Sequence, residues 1–297
     1  MPDKEVNIIN GYEQVQIQWY PGHMTKARRM IEENLPLIDC ICEILDARIP
    51  FSSANPDIAE LSEGRPRIVI LNRCDLADPE ITKRWAKHFE NEGATVLQTD
   101  AKSGKGVNSF IPEVRNVLKD KIESYEQKGQ VGRALRIMIL GIPNVGKSTF
   151  INKVAGRKAA IAGDKPGVTR GKQWISLGQG IDLLDTPGIL WPKFESQEVG
   201  EMLAITNAIK TDVFDVEALA ANFMLRLRKM YPEAIKERYK FEPDPDANGY
   251  ELLEAAAAKR GMLISKGEYD IDRMAHTLLN EYHDGKLGRI SLEEPDD

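Results

Sequence analysis

Along the first two thirds of the chain, short unbroken apolar runs alternate with stretches in which apolar residues recur every three or four positions. Ile38 to Leu45 is the first such run and ends in Asp46-Ala-Arg-Ile-Pro50; Arg67 to Leu71 is the second and leads straight into Asn72-Arg-Cys-Asp75. Ala94 to Thr99 and Leu135 to Leu140 repeat the pattern, and Gln173 to Leu177 with Ile181 to Leu184 reads as a strand pair. Runs with so little polar alternation predict strands buried on both faces, as in a mainly parallel sheet. Helical spacing predicts helices up to about Leu35, stopped by Pro36, then from Ile81 to Asn91, from Val107 to about Gln127, and onward from Lys147. The alternation predicts an α/β domain with helices on both faces and its ligand loops at the C-terminal ends of the strands.

From about Asp215 the pattern is helical only. Val216, Leu219, Phe223, Leu227 and Met230 keep helical spacing, followed by Tyr250 to Arg260 and Ile271 to Tyr282, with the turn-rich Phe241 to Gly249 between. The organisation predicted is a flexible lead-in over 1–16, an α/β domain over 17–210 and a small all-helical domain over 211–297. The pattern alone brackets that last boundary between about 198 and 215.

Composition narrows the class. With 42% hydrophobic and 29% charged residues the chain reads as a soluble globular protein. No run approaches the ~18 apolar residues of a membrane span, and Met1 to Asn10 is too polar for a signal peptide, so a cytoplasmic protein without membrane contact is expected. Cys40, Cys42 and Cys74 lack metal-ligand spacing and read as reduced packing residues. A net charge of −6 argues against broad nucleic-acid binding. The cations are nevertheless clustered: Lys26, Arg28 and Arg29; six basic residues between Lys153 and Lys172; and Arg226, Arg228, Lys229, Lys236, Arg238 and Lys240, with Phe223, Tyr231 and Tyr239 interleaved. These predict an RNA-facing surface with salt-dependent binding. The acidic end, Glu293 to Asp297, is expected to stay disordered in solvent.

Four stretches, with Thr169, carry chemistry. Gly141-Ile-Pro-Asn-Val-Gly-Lys-Ser-Thr149 between a strand and a helix is the G-x-x-x-x-G-K-[ST] phosphate cradle. Gly141 and Gly146 permit the tight turn, backbone N–H groups of Asn144, Val145, Gly146 and Thr149 face phosphate oxygens, Lys147 reaches the β- and γ-phosphates, and Ser148 ligates Mg²⁺. Asn72-Arg73-Cys-Asp75 suits guanine: Asp75 accepts from the ring N1–H and the exocyclic amine, while Asn72 ties its loop to the phosphate loop. Asp100-Ala101-Lys102 follows one βα unit later and offers the Ala101 N–H to guanine O6. In Asp185-Thr-Pro-Gly188, Asp185 holds Mg²⁺ through water and the Gly188 N–H senses the γ-phosphate, with Thr169 as the second Mg²⁺ hydroxyl.

These five elements resemble the signature loops of a translation-factor-class GTPase, except that the base-binding pair precedes the phosphate loop. That order resembles the circularly permuted GTPases. Within them Ile17-Gln-Trp-Tyr-Pro-Gly-His-Met-Thr-Lys-Ala-Arg-Arg29, Asp46-Ala-Arg-Ile-Pro50, Pro166-Gly-Val-Thr-Arg170 and Gly285-Lys-Leu-Gly-Arg-Ile290 resemble the YlqF family of large-subunit assembly factors. Arg73 stands where that pattern usually has Lys, and Asp100 where it has Ser or Asn; Arg73 can still lay its stem against the base. The resemblance implies a GTPase that uses GTP/GDP and Mg²⁺ and is monomeric when free. It implies the large ribosomal subunit precursor, its rRNA and proteins, as partner.

Permutation carries the chain from Gly188 into the helical domain, so loss of the γ-phosphate would be transmitted there. Ile189 stands where many GTPases place a water-orienting Gln, so turnover is expected to be slow alone and stimulated by the large subunit. The resemblance implies His23 as the group that positions water, joining Lys147 and Thr169 as the catalytic set. Asn144 resembles the asparagine of potassium-dependent GTPases that holds K⁺ between phosphates. A GTPase of another RNA process such as tRNA modification, or a nucleotide-gated RNA-binding scaffold without turnover, are the competing readings.

Overall fold

The computed structural model describes residues 8–9, 12–13, 24–62, 64–160, 173–190, 194, 196–209, 214–265 and 267–295. The chain divides into two compact units, one of residues 20–193 and 293–297, the other of residues 1–19 and 194–292.

The first unit holds, in order, α1 (Met24–Asn34), β3 (Cys40–Asp46), α2 (Pro50–Ser53), α3 (Pro56–Leu61), β4 (Arg67–Asn72), α4 (Pro79–Asn91), β5 (Thr95–Thr99), α5 (Phe110–Val117), α6 (Lys119–Gln127), β6 (Leu135–Gly141), α7 (Lys147–Ala155), β7 (Gln173–Gly178) and β8 (Ile181–Asp185). The six strands form one sheet in the order β5-β4-β3-β6-β8-β7, parallel except for β7. All seven residues of β3 are buried, as the unbroken apolar run requires of a central strand. Leu45, Val69 and Leu71 pack against Ile81, Trp85, Ala86 and Phe89 of α4, a helix started by the Asp78 side chain, which accepts from the Glu80 and Ile81 N–H groups. Phe110 meets Phe150 edge to face at 5.2 Å, joining α5 to the helix after the phosphate loop. The polar intruder in the middle of β3, Glu43, is fully buried and held by Arg67 at 2.6 Å and the Asn55 N–H at 3.1 Å. Burial pushes its carboxyl up despite the arginine.

The second unit contains the antiparallel strands β1 (Ile8–Ile9) and β2 (Tyr12–Glu13) with α8 (Gln197–Ile205), α9 (Val216–Met230), α10 (Pro232–Tyr239), α11 (Gly249–Arg260) and α12 (Ile271–His283). Asn248 and Glu251 form a capping box that restarts the chain as α11 after the turn-rich stretch. Gly249 lets α11 approach α9, since a Cβ there would lie 2.4 Å from the Ala221 carbonyl oxygen.

Four local expectations differ from what is found. Within the 1–16 lead-in, Ile8↔Glu13 and Ile9↔Tyr12 pair as antiparallel strands. The helix expected over 107–127 is a short 3₁₀ turn, Val107–Ser109, then two helices that part at Leu118. The boundary between units lies at 193/194 and not 210/211, because α8 is bonded to the helical unit. Asn222 Nδ2 donates to Glu201 at 3.2 Å, Arg226 to Glu198 at 2.6 Å, and His283 Nε2 to the Ile205 carbonyl at 2.7 Å. The acidic end is not free through Pro295. The Ser52 N–H donates to the Glu293 carboxylate, the Trp85 indole to the Glu293 carbonyl at 3.1 Å, and Arg84 to Glu294 at 2.7 Å. Cys40, Cys42 and Cys74 carry no disulfide. Among the described residues no helix is long and apolar enough to cross a membrane.

Candidate functional site

Strand order reverses between β3 and β6, with β4 and β5 on one side and β8 and β7 on the other. The loops leaving β3, β4, β6 and β8 therefore face the crevice where open α/β sheets bind ligands.

Asn72 ends β4 and is buried. Its Nδ2 donates to the Val145 carbonyl at 2.8 Å, and its Oδ1 accepts from the Ala101 N–H at 3.0 Å and from Thr99 Oγ1 at 3.1 Å. One side chain thus joins the three loops that the sequence singles out. The next residue grips the next carbonyl: Arg73 Nη2 donates to Asn144 O at 2.5 Å. The Cys74 N–H donates to the Thr99 carbonyl at 3.1 Å, leaving Asp75 exposed at the end of the turn. Asp100 folds its own loop, accepting from the N–H groups of Lys102 at 2.9 Å and Ser103 at 3.2 Å. These donors, with the Ser103 hydroxyl, outweigh partial burial and hold its carboxyl below the ordinary carboxylate range. Asp100 accordingly caps the loop as Ser or Asn would.

The phosphate loop leaves β6 at Gly141 and enters α7 at Lys147, whose helix dipole favours an anion at that end. Gly146 has φ of +96°, and a Cβ there would lie 2.4 Å from Asn72 Nδ2, so only glycine lets the two loops meet this closely. Gly188 is equally constrained, with Pro143 Cα 2.8 Å from where its Cβ would be. Lys147 is buried, 2.6 Å from Asp185 Oδ1, and donates also to the Thr186 carbonyl. Burial lowers the pKa of its ammonium and Asp185 opposes that. Thr186 Oγ1 donates to Ile139 O at 2.9 Å and the Ile189 N–H to Gly141 O at 3.1 Å, which fastens the segment after β8 along the phosphate loop. The Ile189 side chain is itself buried. Ser148 is half-buried and Thr149 exposed on the first turn of α7.

An open cavity of about 410 Å³ adjoins these loops, lined by Ala101, Lys102, Thr149, Asn152, Lys153, Arg157 and Lys158. Four of the seven are cations, so part of the basic stretch beginning at Lys153 edges the site. His23 and Thr169 lie outside the described residues, as do Lys165, Arg170 and Lys172 and the side chain of Lys26.

The remaining basic residues are for the most part tied down internally. Arg28 and Arg29 pair with Glu32 and Glu33 one turn on. Arg226 bonds Glu198, Arg228 the Asp244 and Ala247 carbonyls, and Lys236 Glu242. Arg238 joins Arg260 and the Tyr239 hydroxyl on Glu281, whose carboxyl they hold below the ordinary range against the opposing effect of burial. Lys229 and Lys240 are exposed. Phe223 and Tyr239 are core residues, and the Tyr231 hydroxyl accepts from the Ser291 N–H. Two contributors went unassigned in the sequence. Thr99 fixes Asn72, and Asp46 lies beside Arg73 at 3.8 Å. Both stand at the C-terminal end of a strand, and Asp46 also opens the Asp46-Ala-Arg-Ile-Pro50 stretch.

Similar chains are found among known proteins. A family model described as 50S ribosome-binding GTPase matches residues 136–236. A Bacillus pumilus protein named ribosome biogenesis GTPase A is 44% identical over 94% of this chain and 99% of its own length. The GNP-bound structure of YlqF from T. maritima is 30% identical with a TM-score of 0.63, covering 92% of this chain and 99% of that one. A GDP-bound structure of TM YlqF gives a TM-score of 0.64 at 28% identity, covering 91% and 100%. Identity of 44% over 94% of the chain, on a sheet whose 72–75 and 100–102 loops precede its phosphate loop, places this chain in the ribosome biogenesis GTPase A family, GTPases of ribosome biogenesis.

Proposed function

We propose that one guanine nucleotide spans residues 72–75, 100–102 and 144–149, that GTP is hydrolysed there to GDP and phosphate, and that the protein serves late maturation of the large ribosomal subunit. The observation that carries this reading is the double grip of Asn72 and Arg73 on the carbonyls of Val145 and Asn144. It sets base loop and phosphate loop at a fixed spacing across the permuted chain.

Asp75 accepts from guanine N1–H and the exocyclic amine, and the Ala101 N–H, which donates to Asn72 Oδ1 here, exchanges that acceptor for O6 when the base binds. Lys147 exchanges Asp185 for the β- and γ-phosphates, and the Gly188 N–H senses the γ-phosphate. Ser148 and Thr169, with Asp185 through water, are the residues that would hold Mg²⁺, which neutralises phosphate charge when bound. Asn144 is the candidate K⁺ contact. The buried Ile189 leaves water positioning to His23, so turnover is slow alone and rises on the large-subunit precursor. From Gly188 the nucleotide state passes along the chain to the helical unit.

The proposed rRNA contacts are Lys26, Arg28 and Arg29 in the first unit and, in the second, Lys229 and Lys240, with Arg226, Arg228, Lys236 and Arg238 contributing where their internal acceptors can be shared. The protein acts in the cytoplasm as a monomer when free. The buried Ile189 also favours the alternative of a nucleotide-gated scaffold with negligible turnover.

Measuring GTP turnover in KCl and in NaCl, with and without large ribosomal subunits, tests the reading. Slow turnover alone, stimulated by subunits and by K⁺ and reduced by His23→Ala, is the expected result. A rate that subunits leave unchanged would remove the assembly role, and tight GTP binding without turnover under any condition would support the scaffold.

A further inference from the structure

Asp46 and Arg48 make a buried ion pair at the end of the central strand that neither the phosphate cradle nor the base motif explains. Asp46 Oδ1 accepts from the Arg48 N–H at 3.1 Å and from Nε at 2.9 Å, and Oδ2 from Nη2 at 2.8 Å. Both residues are essentially inaccessible to solvent. A buried pair of this kind is poor evidence for stability, because desolvating both charges offsets most of their attraction. What it provides is a carboxylate of fixed orientation. Asp46 stands opposite Asn72 in the β3–β4 register, and its N–H is tied to Ser53 Oγ at 3.0 Å. Its Oδ2 faces Arg73, whose Nη1 lies 3.8 Å away while Nη2 holds Asn144 O.

Arg73 and Asn144 are both left-handed, with φ of 64° and 58°. For a residue with a long side chain that conformation costs energy and persists where neighbouring contacts impose it. Here the guanidinium fork supplies two such contacts, one on each half of the permuted site. A lysine, a single point charge on a flexible stem, can reach the Asn144 carbonyl or the carboxylate but cannot bridge them with a planar fork. The bridge runs from β3 through Arg73 to the phosphate loop.

We propose that Asp46 is a positioning residue for guanine-nucleotide binding: by holding the second arm of Arg73 it locks the 72–75 loop onto Asn144 and slows nucleotide release. The inference rests on the assignment of residues 72–75 and 144–149 to one nucleotide. Burial pushes the Asp46 carboxyl up, but Arg48 first and Arg73 after it hold it below the ordinary range, so it stays charged at neutral pH.

A double-mutant cycle with a fluorescent GDP tests it, using Asp46→Asn, Arg73→Lys and the pair, read as Kd and dissociation rate, with kcat and KM for GTP alongside. Asp46→Asn is expected to raise Kd by roughly 3- to 30-fold, chiefly through faster release and with kcat little changed, and to add almost nothing once Arg73→Lys is in place. Glu43→Gln, a buried acid of the same strand away from the loops, should lower the melting temperature without moving Kd. Equal cost of Asp46→Asn in the wild type and in the Arg73→Lys background, or no cost at all, overturns the proposal. Should Asp46→Asn not fold, Arg73→Lys alone decides: faster GDP release supports it, an unchanged rate overturns it. Wild-type protein that fails to bind GDP would instead remove the nucleotide reading beneath it.

Discussion

The Lys147 ammonium lies 2.6 Å from Asp185 Oδ1, a pair drawn from the two ends of the phosphate machinery and almost completely removed from water. Each residue neutralises the other where a phosphate tail and its cation would otherwise do so. Breaking one side leaves the other as an uncompensated buried charge, which costs about 3–5 kcal/mol. Lys147→Ala is therefore expected to abolish nucleotide binding and also to lower the melting temperature. The double variant Lys147→Ala/Asp185→Asn should recover much of the melting temperature and none of the binding. Calorimetry of the three proteins beside a GDP titration checks both halves.

Asp75 is the exposed acid at the end of the turn after β4, and in the proposed reading it selects guanine by accepting two hydrogen bonds from the ring edge. In Asp75→Asn the amide turns a donor toward C2, which suits xanthine, whose C2 carries a carbonyl. The variant is expected to lose GDP affinity by ~10²-fold or more and gain XDP affinity correspondingly. Competition between the two diphosphates for a fluorescent GDP measures it, and unchanged preference would detach Asp75 from the base.

Glu201 gives the helical unit a pH dependence. Burial pushes its carboxyl up to about 7 from 4.5, against the lowering effects of Arg226 and Asn222 and with a small further push from Glu198. Since the folded-state value lies above the unfolded one, the native protein holds the proton more tightly. The stabilisation is complete below about 4.5 and is lost as pH rises toward 7. Glu201→Gln should flatten that decline, by at most about 3 kcal/mol between the two limits. Urea titrations at pH 5, 6, 7 and 8 would show parallel wild-type and variant curves if the group is not involved.

The docked acidic end makes a separate prediction. Deleting residues 293–297 removes the acceptor of the Trp85 indole and the partners of Arg84 and the Ser52 N–H. Each such bond contributes about 1 kcal/mol, less for the exposed arginine pair. The truncated protein should melt a few degrees lower and show altered Trp85 fluorescence, whereas an end lying free in solvent would change neither.

Much of the fold is written locally. Seven consecutive buried positions in β3 read as a central strand from their own side chains, and the phosphate loop needs its glycines wherever it occurs, because its chemistry is done by the backbone. Asn72 was legible for a related reason, since an amide at the end of a strand can tie its loop to the phosphate loop, and its side chain is bonded to the Val145 carbonyl. The partners of long charged side chains were not legible. The sequence shows Arg238 in a basic cluster but not its bond to Glu281, 43 positions away, and it shows Tyr239 interleaved with cations but not its place in the core. Nor could periodicity place the unit boundary before α8, dock Glu293 against Trp85, or set Asp46 beside Arg73. Short-range patterns fix which segments become strands, helices and loops because those depend on sterics and burial within a few residues. Which distant charges meet depends on how the packed elements are arranged, and that was decided only when the chain closed on itself.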